Sequence, residues 1–146
     1  MAAISRPRRR PHPRRPHSSA RAHRRPARRC RCRWPAPGGQ ATAAATGIRT
    51  GIGRTIQLRT DDLPILPPGD LYELWFVGPG DTPNDPNRIS AGTFHPDDQG
   101  RSHVDLTAAV DPALYPELSV TSEPGDGNPA PTGPEVLRAL ITLDEP

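Results

Sequence analysis

The chain has 146 residues, and its 19 basic residues are all Arg. Residues 1–60 hold 16 Arg and no acidic residue, whereas residues 61–146 hold 3 Arg and 16 acidic residues, so formal charges of +16 and −13 combine to +3. The length suits one domain. The sequence contains no run of about 18 apolar residues that could form a membrane-spanning helix, and two Cys cannot form a disulfide-rich scaffold.

The N-terminal segment is rich in Arg and Pro, with 13 Arg and 7 Pro in residues 1–40. Charge repulsion and Pro both oppose a helix, so we predict a disordered basic arm over residues 1–47. Such an arm could bind nucleic acid through phosphates, but Trp34 is its only aromatic residue for base stacking. The alternative is a mistranslated leader, because Arg, Pro, Ala and Gly share GC-rich codons. We favour the leader, so nucleic acid is not the expected partner.

No targeting or metal motif is recognisable in this segment. A signal peptide needs an apolar stretch of about 7–15 residues, which is missing. Cys30 and Cys32 form a Cys-x-Cys pair, whereas structural zinc sites need four ligands with wider Cys spacing. We therefore predict no zinc site here.

Residues 48–146 are predicted to form the folded domain, because short alternating apolar and polar runs are separated by Pro, Gly, Asn and Asp. The pattern indicates an all-β fold, namely an antiparallel β-sandwich, Ig-like or a small barrel, with six to seven strands. The runs lie at residues 54–59, 70–77, 89–94, 101–106, 117–122 and 135–143.

Several of these segments allow sharper predictions. The run at residues 70–77 is apolar on both faces, so it should be a central strand that contributes Trp75 to the core. Residues 96–100 carry turn chemistry and predict a hairpin between the flanking strands. Residues 111–115 predict a single helical turn that Asp111 caps.

We find no catalytic motif: Gly-x-Ser-x-Gly, His-Glu-x-x-His and Walker patterns are all missing. His95 and His103 flank the predicted hairpin turn, but two imidazoles need further ligands to hold a metal. The Asp and Asn side chains of residues 81–87 could bind calcium, as could those at residues 97–98 and 126–128, but they are also ordinary turn residues, and we favour turns. We predict neither an enzyme nor a cofactor.

Three stretches occur in a characteristic order: Leu63–Val77, Ile89–Phe94 and Leu118–Pro134. Together they resemble the C-terminal domain of anti-sigma-K factors of the RskA type, over about residues 50–140. The motif residues, expected to be structural or contact residues, are Tyr72, Glu73, Leu74, Trp75, Ala91, Gly92, Thr93, Phe94, Val120, Thr121, Glu123, Pro124, Pro129, Pro131, Thr132, Gly133 and Pro134.

The resemblance implies a non-catalytic extracytoplasmic domain of a membrane-anchored regulator. In that family a cytoplasmic N-terminal domain holds a sigma factor inactive, one membrane helix follows, and membrane proteases release the sigma factor. The sequence shows neither sigma-binding helices nor a membrane segment, so the sigma factor and proteases are expected partners of the full-length family, and a small-molecule substrate is not expected. The alternatives are an extracytoplasmic β-sandwich that binds carbohydrate or calcium, and a nucleic-acid-binding protein that uses its Arg-rich arm.

Overall fold

A computed structural model describes residues 42–50 and 53–142 of the chain. These residues form two antiparallel sheets, ordered β1-β2-β5 and β4-β3-β6-β7, and contain no helix, so the predicted all-β sandwich is confirmed. It follows that none of the described segments is a helix of bilayer-spanning length and hydropathy. The strands are β1 Thr42–Thr50, β2 Gly53–Asp61, β3 Leu71–Val77, β4 Arg88–Phe94, β5 Ser102–Ala108, β6 Glu117–Glu123 and β7 Glu135–Leu140.

The hydrophobic core lies between the two sheets. Alternate residues of each strand point into it, among them Leu58 from β2, Leu74 from β3 and Val120 from β6, all fully buried. The two sheets approach each other closely at Gly92 of β4, where an added Cβ would lie 3.2 Å from Cδ2 of Leu106 on β5. Burying such side chains stabilises each by about 1.5–3 kcal/mol, which makes this layer the main source of stability.

The predicted central strand is confirmed as β3, which pairs with β4 on one side and β6 on the other. Its core-facing Tyr72 stacks on Phe94 with ring centroids 5.6 Å apart and donates its hydroxyl to the Pro64 carbonyl at 2.7 Å. Burial raises the pKa of the Tyr72 hydroxyl. The hydrogen bond satisfies a polar group that would otherwise be costly to bury.

The predicted hairpin between β4 and β5 is wrong in its pairing, although the turn itself forms. The backbone carbonyl of Asp97 accepts the Gly100 N–H at 3.0 Å, and Gly100 takes a φ of +76°. The two strands nevertheless join different sheets, with β5 paired to β2. The Leu63 N–H donates to the Gly100 carbonyl at 2.9 Å, which ties the turn to the segment after β2. Turn chemistry thus fixes the reversal but not the partner strand.

Strand β1 was not predicted and begins six residues before the expected boundary at residue 48. It pairs along the whole of β2, from Thr42 opposite Asp61 to Thr50 opposite Gly53, and buries Ala43 and Ala45. Ala and Gly have low strand propensity, so β1 forms because pairing and burial outweigh propensity. Residues 1–41, with Cys30 and Cys32, lie outside the described residues, and the predicted arm stays a prediction.

The predicted turn at residues 111–115 is present. The Tyr115 N–H donates to the Asp111 carbonyl at 3.1 Å, and the Ala113 N–H donates to the Asp111 carboxylate at 3.1 Å. Asp111 therefore caps this turn as predicted, since its side chain satisfies an N–H that has no partner within the turn.

Candidate interaction surface

The four-stranded sheet has a polar surface on the side that faces away from the core, called here the outer face. Although polar, much of it is buried: Ser119 is 0% exposed, Thr121 1% and Glu123 5%. Buried polar groups are costly unless they are hydrogen-bonded, so the partners of these side chains decide what the surface can do. The outer face comprises Glu73, Trp75, Arg88, Ser90, Glu117, Ser119, Thr121, Glu123, Glu135 and Arg138.

A bidentate ion pair closes one end of the outer face. Arg88 of β4 donates Nε to both carboxylate oxygens of Asp81, at 2.9 and 3.0 Å, and Nη2 to Oδ2 at 2.8 Å. The loop after β3 presents Asp81, whose side chain is 1% exposed and also accepts the Asn87 N–H at 3.0 Å. Burial acts to raise the pKa of Asp81, but the hydrogen bonds and charge of its partners outweigh burial and leave this pKa below its ordinary value.

The network extends from Arg88 across the sheet to β7. Arg88 Nη1 lies 3.4 Å from Ser119 Oγ, and Ser119 in turn donates to Glu135 Oε2 at 2.7 Å. Arg138 Nη1 reaches the same Glu135 oxygen at 3.4 Å, and its Nε donates to Glu117. Alternating charges therefore cover β4, β6 and β7 in a continuous layer where a sandwich usually leaves a solvated face.

Trp75 occupies the centre of the outer face. Its indole Nε1 donates to Thr121 Oγ1 at 2.8 Å, and the residue is 3% exposed. Trp75 is therefore buried, as predicted, but it lies on the opposite side of the sheet from the core between the sheets. A buried indole N–H needs an acceptor, and Thr121 supplies it.

Two carboxylates lie at the other end of the outer face. Glu73 accepts a hydrogen bond from Ser90 Oγ at 2.5 Å. Glu123 accepts three bonds on one oxygen, from Thr132 N at 2.9 Å, Thr132 Oγ1 at 3.1 Å and Gly133 N at 2.7 Å, while its other oxygen is buried without a partner. Burial raises the pKa of Glu73, the negative charge of Glu123 raises it further, and the Ser90 hydrogen bond opposes both.

The structure divides the predicted motif residues among four places. Core-facing members are Tyr72, Leu74, Ala91, Phe94 and Val120, while Glu73, Trp75, Thr121 and Glu123 belong to the outer face. Gly92 is close to the core, and Thr93 is exposed on β4. The remainder form the loop after β6, namely Pro124, Pro129, Pro131, Thr132, Gly133 and Pro134.

The loop over residues 124–134, called here the β6–β7 loop, is folded back on β6. A Cβ on Gly133 would lie 1.6 Å from the Ser122 carbonyl oxygen, and the Ser122 N–H donates to the Pro134 carbonyl at 3.0 Å. Together with the three bonds to Glu123, this approach explains why glycine and a carboxylate occur ten residues apart. Thr132, Gly133 and Pro134 therefore contact β6 in this folded loop, while the expected structural or contact role of the motif residues stays a prediction.

Sequence reasoning missed the ion-pair network, although the composition contained a signal for it. The acidic part of the chain has only three Arg, and each pairs with a carboxylate: Arg88 with Asp81, Arg101 with Asp97 at 3.0 Å, and Arg138 with Glu117. An isolated Arg within a strand of an acidic segment points to a nearby carboxylate. Which carboxylate it meets depends on strand order, which the sequence does not define.

The candidate metal ligands are not gathered into a site in the part of the chain that the structure describes, where no group of three or more His, Cys, Asp or Glu could hold a metal ion. Asp81, the first residue of the calcium-like loop, is engaged by Arg88. His95 and His103 are exposed. His103 lines a groove of about 270 Å³ at the end of β2, where the buried hydroxyl of Thr60 has no partner.

Comparison with protein-family models places the chain among anti-sigma factor domains. The matching model, described as anti-sigma-K factor rskA, C-terminal, covers residues 2–135, which is 134 of the 146 residues. The chain therefore belongs to this family, and the resemblance inferred from the three motifs is confirmed. The match begins well before residue 50 and includes most of the Arg-rich segment. Comparison with functionally characterised proteins finds no significant match.

Proposed function

We propose that the chain provides the non-catalytic, extracytoplasmic regulatory domain of a membrane-associated anti-sigma factor that controls sigma-factor-dependent transcription. The family match over residues 2–135 is the observation that carries this proposal. The sigma factor would be held by another part of the full regulator, and the β-sandwich would act outside the membrane. Its role there would be to sense a signal or to control access of a membrane protease.

The charge of the domain supports a position away from the bilayer surface. The described residues carry 6 Arg and 14 acidic side chains, a formal charge of −8. A strongly negative domain is repelled from anionic lipid headgroups, which would hold it away from the bilayer. Its three Arg beyond residue 60 cannot reverse this effect, because all three are paired with carboxylates.

The outer face supports a role in recognition rather than catalysis. The Ser119 hydroxyl is fully buried, accepts from Arg88 and donates to Glu135, so it is engaged within the ion-pair network. The ion pairs hold these side chains in one arrangement, which favours a preorganised contact surface. A rigid sheet of this kind would fix the position of the β6–β7 loop, which carries several motif residues.

The experiment examines the gene product expressed from its own locus with either of two reporters at its C-terminus. One reporter, alkaline phosphatase, is active only outside the cytoplasm, whereas the other, β-galactosidase, is active only inside it. We expect the phosphatase fusion to be active, to fractionate with membranes and to co-purify with a sigma factor. Activity of the cytoplasmic reporter alone, together with recovery in the soluble fraction, would contradict the proposal.

A second measurement tests regulation directly. Transcription from the promoters of the co-purified sigma factor is compared between the wild-type strain and a strain that lacks residues 42–142 of the protein. We expect sigma-dependent transcription in the deletion strain to differ from that in the wild-type strain and to stay at the same level in all tested conditions. Unchanged transcription under all tested conditions would show that the domain has no regulatory role.

A further inference from the structure

A groove of about 270 Å³ lies on the three-stranded sheet, where β2 ends and β5 begins. Pockets for drug-sized molecules usually measure about 300–1,000 Å³, so this groove suits a small ligand. Its lining is entirely charged or polar and shares no residue with the outer face, consisting of Arg59, Thr60, Asp61, Asp97, Arg101, Ser102 and His103. The free donors and acceptors among these side chains therefore determine what the groove can bind.

Two of the lining side chains already satisfy each other. Asp97 Oδ2 accepts from Arg101 Nε at 3.1 Å and from Nη2 at 3.0 Å, while Oδ1 accepts the backbone N–H groups of Gln99 and Arg101, each at 2.9 Å. Four donors thus hold the Asp97 carboxylate, and the carboxylate in turn holds the Arg101 guanidinium at the groove. These two residues form its fixed wall.

Arg59, in contrast, has no partner of its own. Its side chain is exposed and makes neither an ion pair nor a hydrogen bond with any residue that the structure describes. Arg59 lies directly opposite His103 of β5 and Ala44 of β1. Cβ atoms of directly opposite residues are about 4.5–5.5 Å apart, so the guanidinium and the imidazole stand side by side. Both groups carry N–H donors, and neither neighbouring strand places a carboxylate opposite Arg59.

Asp61 adds an acceptor to the groove. It lies two residues beyond Arg59 on the same face of β2, which at about 3.3–3.4 Å per residue is about 7 Å away. Its carboxylate is exposed and has no side-chain partner in the described part of the chain. The Thr60 hydroxyl is enclosed and cannot meet a ligand, so the accessible groups are two donors and one acceptor.

We propose that the groove binds a small oxoanion that retains a proton, of which hydrogen phosphate is the simplest. Arg59 and His103 would donate to its oxygens, since a guanidinium matches oxoanions with parallel N–H groups. Asp61 would accept its hydroxyl, because an ionised carboxylate can only accept. Sulfate has no proton at neutral pH and would set a bare oxygen against this carboxylate. The inference goes beyond the proposed regulatory function and does not depend on it.

The charge of the domain limits the strength of such a site. The described residues carry a formal charge of −8, which repels anions, whereas the groove itself has two Arg and two Asp and a formal charge of zero. We therefore expect modest affinity that depends on direct hydrogen bonds, and a preference among anions of similar size is the informative property.

The test titrates the ¹⁵N-labelled full chain with sodium phosphate and, separately, with sodium sulfate near neutral pH. NaCl keeps the ionic strength at about 0.1 M, so that screening is equal in both series. We expect saturable shifts of the amide signals of residues 59–61 and 101–103 with phosphate, and a clearly weaker response with sulfate. The signals are resolved by residue because the 13 Arg of residues 1–40 also attract anions.

Two variants, each with a matched control, test the assigned roles. Arg59→Met should weaken phosphate binding by about tenfold or more, the effect of losing hydrogen bonds to a charged group. Arg54→Met removes an arginine of the same strand outside the groove and should leave binding unchanged. Asp61→Asn should let sulfate bind about as well as phosphate, whereas Asp62→Asn removes the neighbouring charge outside the groove and should keep the preference.

Four results would overturn the proposal. The first is a phosphate response confined to residues 1–40, and the second is equal saturation by phosphate and sulfate in the wild type. The third is an equal loss of binding in Arg59→Met and Arg54→Met. The fourth is a preference for phosphate that persists in Asp61→Asn. The dispersion of the amide spectrum confirms folding of each variant, and the Asp61 and Asp62 variants test the site without removing a guanidinium.

Discussion

Replacement of Arg88 with Met tests whether the ion-pair network stabilises the domain. The Arg88 side chain is 11% exposed and makes three contacts of 2.8–3.0 Å with Asp81, whose side chain is 1% exposed. Met retains the apolar stem but leaves the Asp81 carboxylate with the Asn87 N–H at 3.0 Å and Arg138 Nη1 at 3.6 Å. Removing one partner of a buried pair costs about 3–5 kcal/mol. Because these two partners remain, we expect a loss of about 3 kcal/mol.

The assay is equilibrium urea unfolding followed by the fluorescence of Trp75, in a Trp34→Phe background so that one indole reports. The midpoint should fall while the slope with urea stays constant, since the exposed area on unfolding is unchanged. In thermal unfolding the same loss corresponds to about 12–24 °C for a domain of this size. The double variant D81N/R88M should recover part of the loss, because neither charge is then left buried alone.

The matched control is Arg101→Met. Arg101 also makes an ion pair with an aspartate, at 3.0 Å, but its side chain is 56% exposed and that of Asp97 is 42% exposed. Exposed pairs contribute about 0–1 kcal/mol, so this variant should lose less than about 1 kcal/mol. If Arg88→Met cost no more than Arg101→Met, burial of the network would not account for the stability of the outer face.

Three further predictions concern the same face and its loop. Gly133→Ala should destabilise the domain by more than about 2 kcal/mol, because its Cβ would overlap the β6 backbone. Gly127→Ala has open space around its Cβ but a φ of +80°, so it should cost about 1 kcal/mol. Urea unfolding of both variants checks this difference. Trp75→Ala should cost about 3–5 kcal/mol of stability, and Trp75→Phe clearly less, since Phe loses chiefly the hydrogen bond to Thr121. Equal losses of stability for the two variants in circular dichroism melts would contradict this. The pKa of Asp81 is lowered on folding, so its stabilisation should be complete above its ordinary value of 3.8 and be lost as the pH falls through its folded-state pKa; unfolding measured between pH 2 and 6 should show a smaller acid-induced loss in D81N.

The individual strands were largely predictable from the sequence, whereas their partners were not. The runs at 70–77 and 89–94 match β3 and β4 to within one residue, because alternation and flanking turn residues act locally. Strand β1 was missed because its Ala-rich sequence has low strand propensity and follows the Arg-rich segment. The turn at 96–100 was recognised, but the pairing of β5 with β2 joins segments that are far apart in sequence, as does the Leu63–Gly100 hydrogen bond.

The candidate surface was less predictable than the fold. The motif included Glu73, Trp75 and Glu123, and the structure brings all three onto the outer face. It did not include Arg88 or Asp81, because neither alternation nor turn chemistry tells which charged side chains on different strands will meet. Pairing of these charges depends on the order β4-β3-β6-β7, which is a tertiary property.

The connection from β4 to β5, which passes from one sheet to the other, also determines how the chain can fold. Only the β1–β2, β3–β4 and β6–β7 ladders join strands that are consecutive in sequence. Completing the sheets requires Ile56 to meet Leu106 and Leu74 to meet Val120, encounters across 50 and 46 residues. Because loop-closure entropy must be overcome before such contacts form, the domain should fold in about milliseconds to seconds. The indole of Trp75, whose acceptor Thr121 lies on β6, would report the encounter between β3 and β6.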